Sequence, residues 1–521
     1  MNNPSDFITV KTALISVHDK EGIAEFAKEL QNQKIEIIAS SGTAKLLAKE
    51  KIKVTELDSV TGFSELLDGR VKTLSPKIHA GILVDRSNPK HLKQLKENKI
   101  NAIDLVVVNL YPFKETIEQK NVSEKEVIEN IDIGGVALIR AAGKNYSNCA
   151  IVVDKKDYPK LLEELNKNKN KISKEFSFYL MQKAFAYTAQ YDSLIANYFS
   201  KELLPEKMNL TFNKQFDLRY GENPHQKAAF YSELLPAEDS LPKIEILHGK
   251  ELSFNNIYDA ESAIRIVQEF EMPCVVIIKH TNPCGVACDE KLSSAFKKAF
   301  DCDQKSAFGG VIALNRECDL ETAKQIAAFF NEIVIAPVYS ADALEELKKN
   351  KNRRIVILKN LNNKKENLKK YLDLKRVKSG LLVQEADNFA ENENDYKIVT
   401  KEKLSKEQLQ DLLFAWKVCK HVKSNAIVIA KNLATVGIGA GQTSRIGSVE
   451  IAIKKAGENV KNAVLASDAF FPFRDSVDNA HKAGISAIIQ TGGSIKDAEV
   501  MQAADEHKMP MILTGIRHFK H

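Results

Sequence analysis

Short apolar runs rich in β-branched residues, each cut off by polar groups, recur along this chain and restrict its fold more than any other feature. Ala13-Leu14-Ile15-Ser16-Val17 ends at His18-Asp19-Lys20, and Ile35 to Ala39 runs into Ser40-Ser41-Gly42-Thr43. Leu105 to Val108 ends at Asn109 and Tyr111. Val275-Val276-Ile277-Ile278 ends at Lys279-His280-Thr281-Asn282, where Pro283 is expected to stop the strand. Such runs read as buried strands. Between the first two, a helix is expected from about Gly22 to Leu30, and another begins near Ala44. Strand, short polar turn and helix in repetition predict an α/β fold with a parallel sheet. Open α/β sheets take their ligands at the carboxyl ends of strands, where these polar groups fall. Polar groups crowded at such an end are costly unless hydrogen-bonded.

At 521 residues the chain exceeds what one core can organise. A long helix is predicted from an N-cap at Ser173 to about Tyr198, with Phe176, Leu180, Ala184, Tyr187, Tyr191 and Ile195 on one face. Ser200 to Asn213 lacks a pattern and carries Pro205, which puts the main boundary there. The division expected is residues 1–200, a linker at 201–213, and residues 214–521. A net charge of +6 over this length gives no reason to expect nucleic acid or membrane binding. The lysine-rich stretch Lys348 to Lys370 reads as a solvated, partly helical surface. No basic leader precedes an apolar run and no run is long enough to span a bilayer. Seven scattered cysteines favour reduced thiols and a cytoplasmic location.

Several polar stretches stand out. Ser40-Ser41-Gly42-Thr43 can hold an anion at a helix start, although the same residues also make good caps. Gly69-Arg70-Val71-Lys72-Thr73-Leu74-Ser75-Pro76-Lys77-Ile78-His79-Ala80-Gly81 has no regular period and reads either as a solvated loop or as a wrap around an anion. Asp132, in Ile131-Asp132-Ile133-Gly134-Gly135, is an unusual place for a carboxylate unless something pairs with it. In the second half, Ala426 to Lys431 echoes the strand ending at Lys279, and Gly437-Ile438-Gly439-Ala440-Gly441 follows it. This glycine spacing is not the dinucleotide pattern. Two similar αβ lobes are expected from the echo. Near the end, Phe470, Phe471 and Phe473 beside Arg474 and Asp475, and Arg517 beside Phe519, suit a pocket for a planar heterocycle with an ionised tail.

Taken in order, Arg70-Val71-Lys72-Thr73-Leu74, Asn109-Leu110-Tyr111-Pro112-Phe113, Ile131 to Gly135 and Arg140-Ala141-Ala142-Gly143-Lys144-Asn145 form one set of motifs. Leu218-Arg219-Tyr220-Gly221-Glu222-Asn223-Pro224-His225-Gln226, Lys279 to Pro283, Gly439-Ala440-Gly441-Gln442 and Ser467 to Phe473 continue it. With them the chain resembles, from near residue 8 to its end, the bifunctional purine biosynthesis family. That family joins a phosphoribosylaminoimidazolecarboxamide (AICAR) formyltransferase to an inosine monophosphate (IMP) cyclohydrolase. The resemblance implies an N-terminal domain similar to methylglyoxal synthase, carrying the cyclohydrolase. It implies two cytidine-deaminase-like α/β lobes carrying the formyltransferase, with 10-formyltetrahydrofolate as co-substrate. A homodimer is implied as well, with formyltransferase sites shared across its interface.

The residues make chemical sense of both steps. The AICAR amine is a poor nucleophile, so a base at the amine helps, and His280 can supply one near neutral pH. Lys279 can stabilise the oxyanion on the formyl oxygen or protonate the leaving folate nitrogen. By the resemblance, Arg219, Tyr220, Arg445 and Arg517 bind the nucleotide, with Asn425, Gly309 and Glu332 around its base and ribose. Phe308, Ile446, Phe470, Asp475, Ser494 and Ile495 line the nucleotide–folate pocket. For ring closure, Asp132 can move a proton while Tyr111, Lys72 and Lys144 polarise the carbonyl. His18, Lys20, Ser40, Ser41, Gly42, Thr43, Arg70 and Thr73 match the family's phosphate and ribose contacts, and Asn109 and Gly134 belong to its motifs. Three positions depart from the usual pattern. Ser75 stands where many relatives carry His, Ser41 stands in place of a glycine, and Gly143 stands where Ala is common.

Two other readings are weaker. A zinc nucleobase deaminase needs His-x-Glu and Pro-Cys-x-x-Cys. Here Asn282 stands where the Glu belongs, and Cys284 and Cys288 are one residue too far apart, so no zinc is expected. A nucleotide-sensing scaffold without chemistry is disfavoured by the presence of both reactive sets.

Overall fold

The computed structural model describes residues 6–63, 67, 70–362, 371–389 and 391–521. Gly69 of the basic loop and residues 363–370 of the lysine-rich stretch lie outside the described residues. Contacts divide the chain into two compact units, Met1–Thr211 and Phe212–His521. Among the described residues no helix is long and apolar enough to cross a membrane.

The first unit is built on a five-stranded parallel sheet. Its order is Thr55–Glu56, Glu36–Ala39, Thr12–Val17, Leu105–Asn109 and Ala150–Val152. The two central strands are apolar on both faces. Ala13, Ile15 and Val107 enter one core and Leu14, Val106 and Val108 the other. Helix Ile23–Asn32 covers the first face with Phe26, Ala27 and Leu30. Lys174–Phe199 is a single helix whose N-cap Ser173 accepts from the Phe176 N–H at 3.3 Å, as the sequence predicts. Two boundaries differ from expectation. Ser41, Gly42 and Thr43 already form the first turn of helix Ser41–Lys49. The latter half of the basic loop is helical too, over Pro76–Leu83, because Ser75 caps it and Pro76 suits its first turn.

The second unit carries one twelve-stranded sheet made of two copies of the same motif. In the first copy Cys274–Lys279 forms an antiparallel hairpin with Asn282–Cys288. On its other side it pairs antiparallel with Val311–Leu314, which continues into parallel strands Ile333–Ala336 and Arg354–Ile357. The second copy repeats this with Ile427–Lys431, Ala434–Gly439, Val464–Ser467, Ala487–Gln490 and Met511–Leu513. The copies join through the Ala287–Ala434 pairing. Details repeat as well. Each hairpin is bulged on its returning strand, where Cys284 is the extra residue opposite Ile277/Ile278 and Val436 the extra residue opposite Ile429/Ala430. A Cβ on Gly285 would lie 1.9 Å from the Ala299 carbonyl oxygen, and one on Gly437 2.2 Å from that of Ala452, so each hairpin needs glycine where a helix crosses it. Val276, Ile278, Val428 and Ala430 share one continuous core, while Val275 and Ile277 on the opposite face pack apart from Ile427 and Ile429.

Two sequence expectations fail here. Pro283 does not end the strand system; it sits inside the returning strand, opposite Ile278 at the bulge. A bulge is one of the few places in a sheet that tolerates a missing N–H. The lysine-rich stretch is not all solvated, since Arg354–Ile357 is a strand and Arg353 and Arg354 are buried. Arg353 donates to Asn331 Oδ1 at 2.8 Å and to the Leu347 carbonyl at 3.0 Å, which satisfies its guanidinium.

Candidate active sites

In the first unit the predicted residues gather where parallel strands end. Asn109, last in its strand, accepts through Oδ1 from the His18 N–H at 2.6 Å and the Asp19 N–H at 2.9 Å. Its Nδ2 donates to the Asp19 carbonyl at 2.9 Å, so one amide fixes the loop after the first strand. Lys20 Nζ folds back on the His18 carbonyl at 3.1 Å. Buried Thr43 is stitched to Val17, 3.3 Å from both its N–H and its carbonyl. The His18 and Tyr111 rings meet edge to face at 5.5 Å.

Asp132 lies just behind Tyr111. Its carboxylate accepts from the Gly135 N–H at 2.7 Å and the Tyr111 N–H at 3.2 Å, while its own N–H donates to Tyr191 Oη at 2.8 Å. What pairs with it is therefore backbone. Burial raises the carboxyl above the usual range, against the lowering effect of both N–H donors. Thr73 packs against Gly134, where a Cβ would come within 2.3 Å of Thr73 Oγ1. Arg70 pairs with Glu129. Lys144 stands apart: it is exposed at the far end of helix Gly134–Lys144, about 15 Å from Gly134 by helical rise.

In the second unit Lys279 and His280 occupy the hairpin tip. His280 and Thr281 both take left-handed backbone, φ 54° and 62°. The Asp259 carboxylate receives both of their N–H groups, from His280 at 3.2 Å and from Thr281 at 2.6 Å. Burial raises the Asp259 carboxyl, again opposed by the two backbone donors. Lys279 Nζ donates to the Phe308 carbonyl at 2.8 Å, and the Gly309 N–H reaches the Phe330 carbonyl at 2.8 Å. The Glu332 N–H donates to the Gly310 carbonyl at 2.9 Å, and its carboxylate pairs with Arg354 at 2.5 Å. Lys279, His280, Phe308, Gly309 and Glu332 thus share one edge of the first lobe.

Asn282 ties that edge to the second lobe. It donates to the His280 carbonyl at 3.2 Å and accepts from the Lys423 N–H at 3.0 Å. Two residues on, Asn425 Oδ1 accepts from Arg445 at 2.7 Å. Arg445 is buried in an ion pair with Asp468 and also donates to Ser467 Oγ at 3.1 Å. Ile446 follows on the same helix, Arg445–Ala456. Among the described residues no hydrogen bond or ion pair joins Arg219, Arg517, Phe470, Asp475, Ser494 or Ile495 to Lys279 or His280. Arg219 lies over the Tyr220 ring at 4.8 Å and Arg517 over Phe519 at 4.3 Å. Ile495 is fully exposed, and Ser494 donates its N–H to Asp497 at 3.1 Å.

Sequence reasoning missed Asp259, the bridging role of Asn282 and the buried Asp468. A signal for the first existed: Asp259 and Asp411 occupy the same place after capping serines Ser253 and Ser405, on the helices that precede the two hairpins. Among the described residues no group of three or more His, Cys, Asp or Glu could hold a metal ion.

A parallel α/β unit with polar strand ends, followed by a duplicated unit with a Lys-His hairpin tip, gives the chain two polar sheet edges of the kind at which α/β enzymes bind small molecules. Residues 22–137 match the MGS-like domain model and residues 142–455 the AICARFT/IMPCHase bienzyme model. The bifunctional purine biosynthesis protein PurH of a Thermoanaerobacter species is 54% identical over 98% of this chain and 100% of its own. Its counterpart in Acetivibrio thermocellus is 51% identical over the same shares. A solved structure described as "Crystal structure of ForH" is 29% identical over 37% of this chain and 100% of its own, with a TM-score of 0.34. The chain belongs to the AICAR formyltransferase/IMP cyclohydrolase family. It is a bifunctional enzyme of purine biosynthesis that formylates AICAR with a folate co-substrate and closes the product to IMP with loss of water.

Proposed function

We propose that the two steps are carried by separate residue sets, Lys279 and His280 for formyl transfer and Lys72, Tyr111, Asp132 and Lys144 for ring closure. In this reading residues 1–200 hold the cyclohydrolase and residues 214–521 the transferase, with 201–213 between them. His280 takes the proton of the AICAR amine as it attacks the formyl carbon of 10-formyltetrahydrofolate. Lys279 Nζ stabilises the oxyanion or protonates the departing folate nitrogen. Arg219, Tyr220, Asn425, Arg445 and Arg517 hold the nucleotide, Gly309 and Glu332 bound its base and ribose, and Phe308, Ile446, Phe470, Asp475, Ser494 and Ile495 line the remaining pocket.

In the other site Asp132 relays a proton between the attacking carboxamide nitrogen and the departing water, a task helped by its raised pKa. Tyr111 and the lysines polarise the formamide carbonyl, while His18, Lys20, Asn109, Ser40, Ser41, Gly42, Thr43, Arg70, Thr73 and Gly134 surround phosphate and ribose. By the same family likeness the protein acts as a homodimer with its formyltransferase sites shared across the interface. Partners are small molecules in the cytoplasm, with neither zinc, nucleic acid nor membrane involved.

The observation that carries the reading is the fixed left-handed hairpin tip, which presents His280 beside Lys279 at a polar sheet edge. The test is His280→Ala assayed for each half-reaction. Formyl transfer should be lost while preformed formyl-AICAR is still cyclised. Loss of both would make His280 structural.

A further inference from the structure

We propose that Asp259 is a positioning residue for formyl transfer, a carboxylate clamp that holds His280 in its working conformation through two backbone N–H groups. The inference rests on the reading of His280 as the base. Two consecutive left-handed residues form the two-residue hairpin tip, a turn that favours Asn-Gly or Asp-Gly. His280-Thr281 is a poor sequence for it. Thr is β-branched, and for such a residue positive φ is an outlier. Something outside the turn must impose it, and Asp259 receives both of its N–H groups, at 3.2 and 2.6 Å.

The second lobe supplies an internal control. There Asn432 and Leu433 take the same left-handed pair, φ 55° and 56°. Asp411 receives their N–H groups at 2.8 and 2.7 Å, from the equivalent place on the equivalent helix. The lysine before the turn repeats too, since Lys431 Nζ donates to the Lys461 carbonyl at 2.9 Å as Lys279 does to Phe308. The two clamps are one device on two hairpins, and only the first hairpin carries an imidazole. Damage to either clamp should loosen its hairpin; only damage to Asp259 should reach formyl transfer.

Asp259→Asn is the informative change, because an amide can accept from one N–H but sets an NH2 against the other. Four full-length variants are compared with wild type: D259N, D259N/T281G, D411N and H280A. Each is measured for formyl-transfer kcat, KM for AICAR and cyclisation of formyl-AICAR. D259N is expected to lose about a hundredfold in transfer kcat with KM within about twofold and cyclisation intact, as for a misplaced catalytic group. Glycine adopts positive φ freely, so T281G in the D259N background should regain about tenfold. D411N should stay within about threefold of wild type.

The proposal is overturned if D259N transfers formyl like wild type, if T281G restores nothing, or if D411N falls as far as D259N. Should D259N alone not fold, D259N/T281G is compared with T281G. A further loss of at most about tenfold then supports the clamp, and a loss as deep as that of H280A overturns it. Wild-type transfer by H280A would instead overturn the reading of His280 itself, and the clamp with it.

Discussion

Replacing Asn109 with Ala should weaken ring closure and leave formyl transfer alone. The side-chain amide makes three hydrogen bonds to the loop after the first strand, at 2.6, 2.9 and 2.9 Å. Each such bond is worth about 0.5–1.5 kcal/mol net. His18 and Asp19 are exposed, so water takes over their freed groups and the lower end of that range applies. Three bonds then amount to about 1.5 kcal/mol, roughly a twelvefold fall in the population of the ordered loop. A substrate that needs the ordered loop should lose the same factor in kcat/KM. The assay is the absorbance change as purified Asn109→Ala converts formyl-AICAR to IMP, beside formyl transfer by the same preparation. Cyclisation within about twofold of wild type would refute the reasoning, and so would an equal loss in both half-reactions.

Other outcomes follow from the same geometry. Burial alone would lower the pKa of His518, but its hydrogen bonds to Asp387 and Glu391, at 2.6 and 2.8 Å, override that and raise it to about 9 from 6.5. The stabilisation is complete below about pH 6.5 and is lost as pH rises through 9, on the order of 3 kcal/mol in all. Thermal melts of wild type should therefore fall across that window, and those of His518→Gln should not share that fall. Gly285→Ala and Gly437→Ala each drive a Cβ into a helix carbonyl, at 1.9 and 2.2 Å. Each should cost about 3 kcal/mol or more in denaturant unfolding, since backbone must move to admit the methyl group.

The layers of this fold were legible because its central strands are apolar on both faces. Leu105 to Val108 and Val275 to Ile278 admit few other readings. The duplication was legible for a similar reason: Lys279 and Lys431 each close a buried run at the same point of the motif. What stayed hidden depends on partners distant in sequence. Pro283 reads as a stop until the bulge opposite Ile278 shows that its missing N–H leaves no gap in the ladder. Arg353 and Arg354 look like part of a lysine-rich surface, yet Asn331 and Glu332, in the loop that leads into strand Ile333–Ala336, draw them inside. Asp259 sits on an amphipathic helix where a carboxylate is ordinarily solvated, and only the hairpin folded over it gives it two N–H donors. The sequence places Ser41 to Thr43 before their helix rather than in it, because capping and first-turn residues are nearly the same types.

The division of labour between Lys279-His280 and the Asp132 set is tested most directly by mixing two defective variants. His280→Ala should cyclise formyl-AICAR without making it, and Asp132→Asn should make it without closing it. Supplied with AICAR and 10-formyltetrahydrofolate, each alone should yield no IMP, and the mixture should yield it through the released intermediate. Loss of cyclisation in His280→Ala, or of formyl transfer in Asp132→Asn, would leave the mixture inactive and contradict two separate sites.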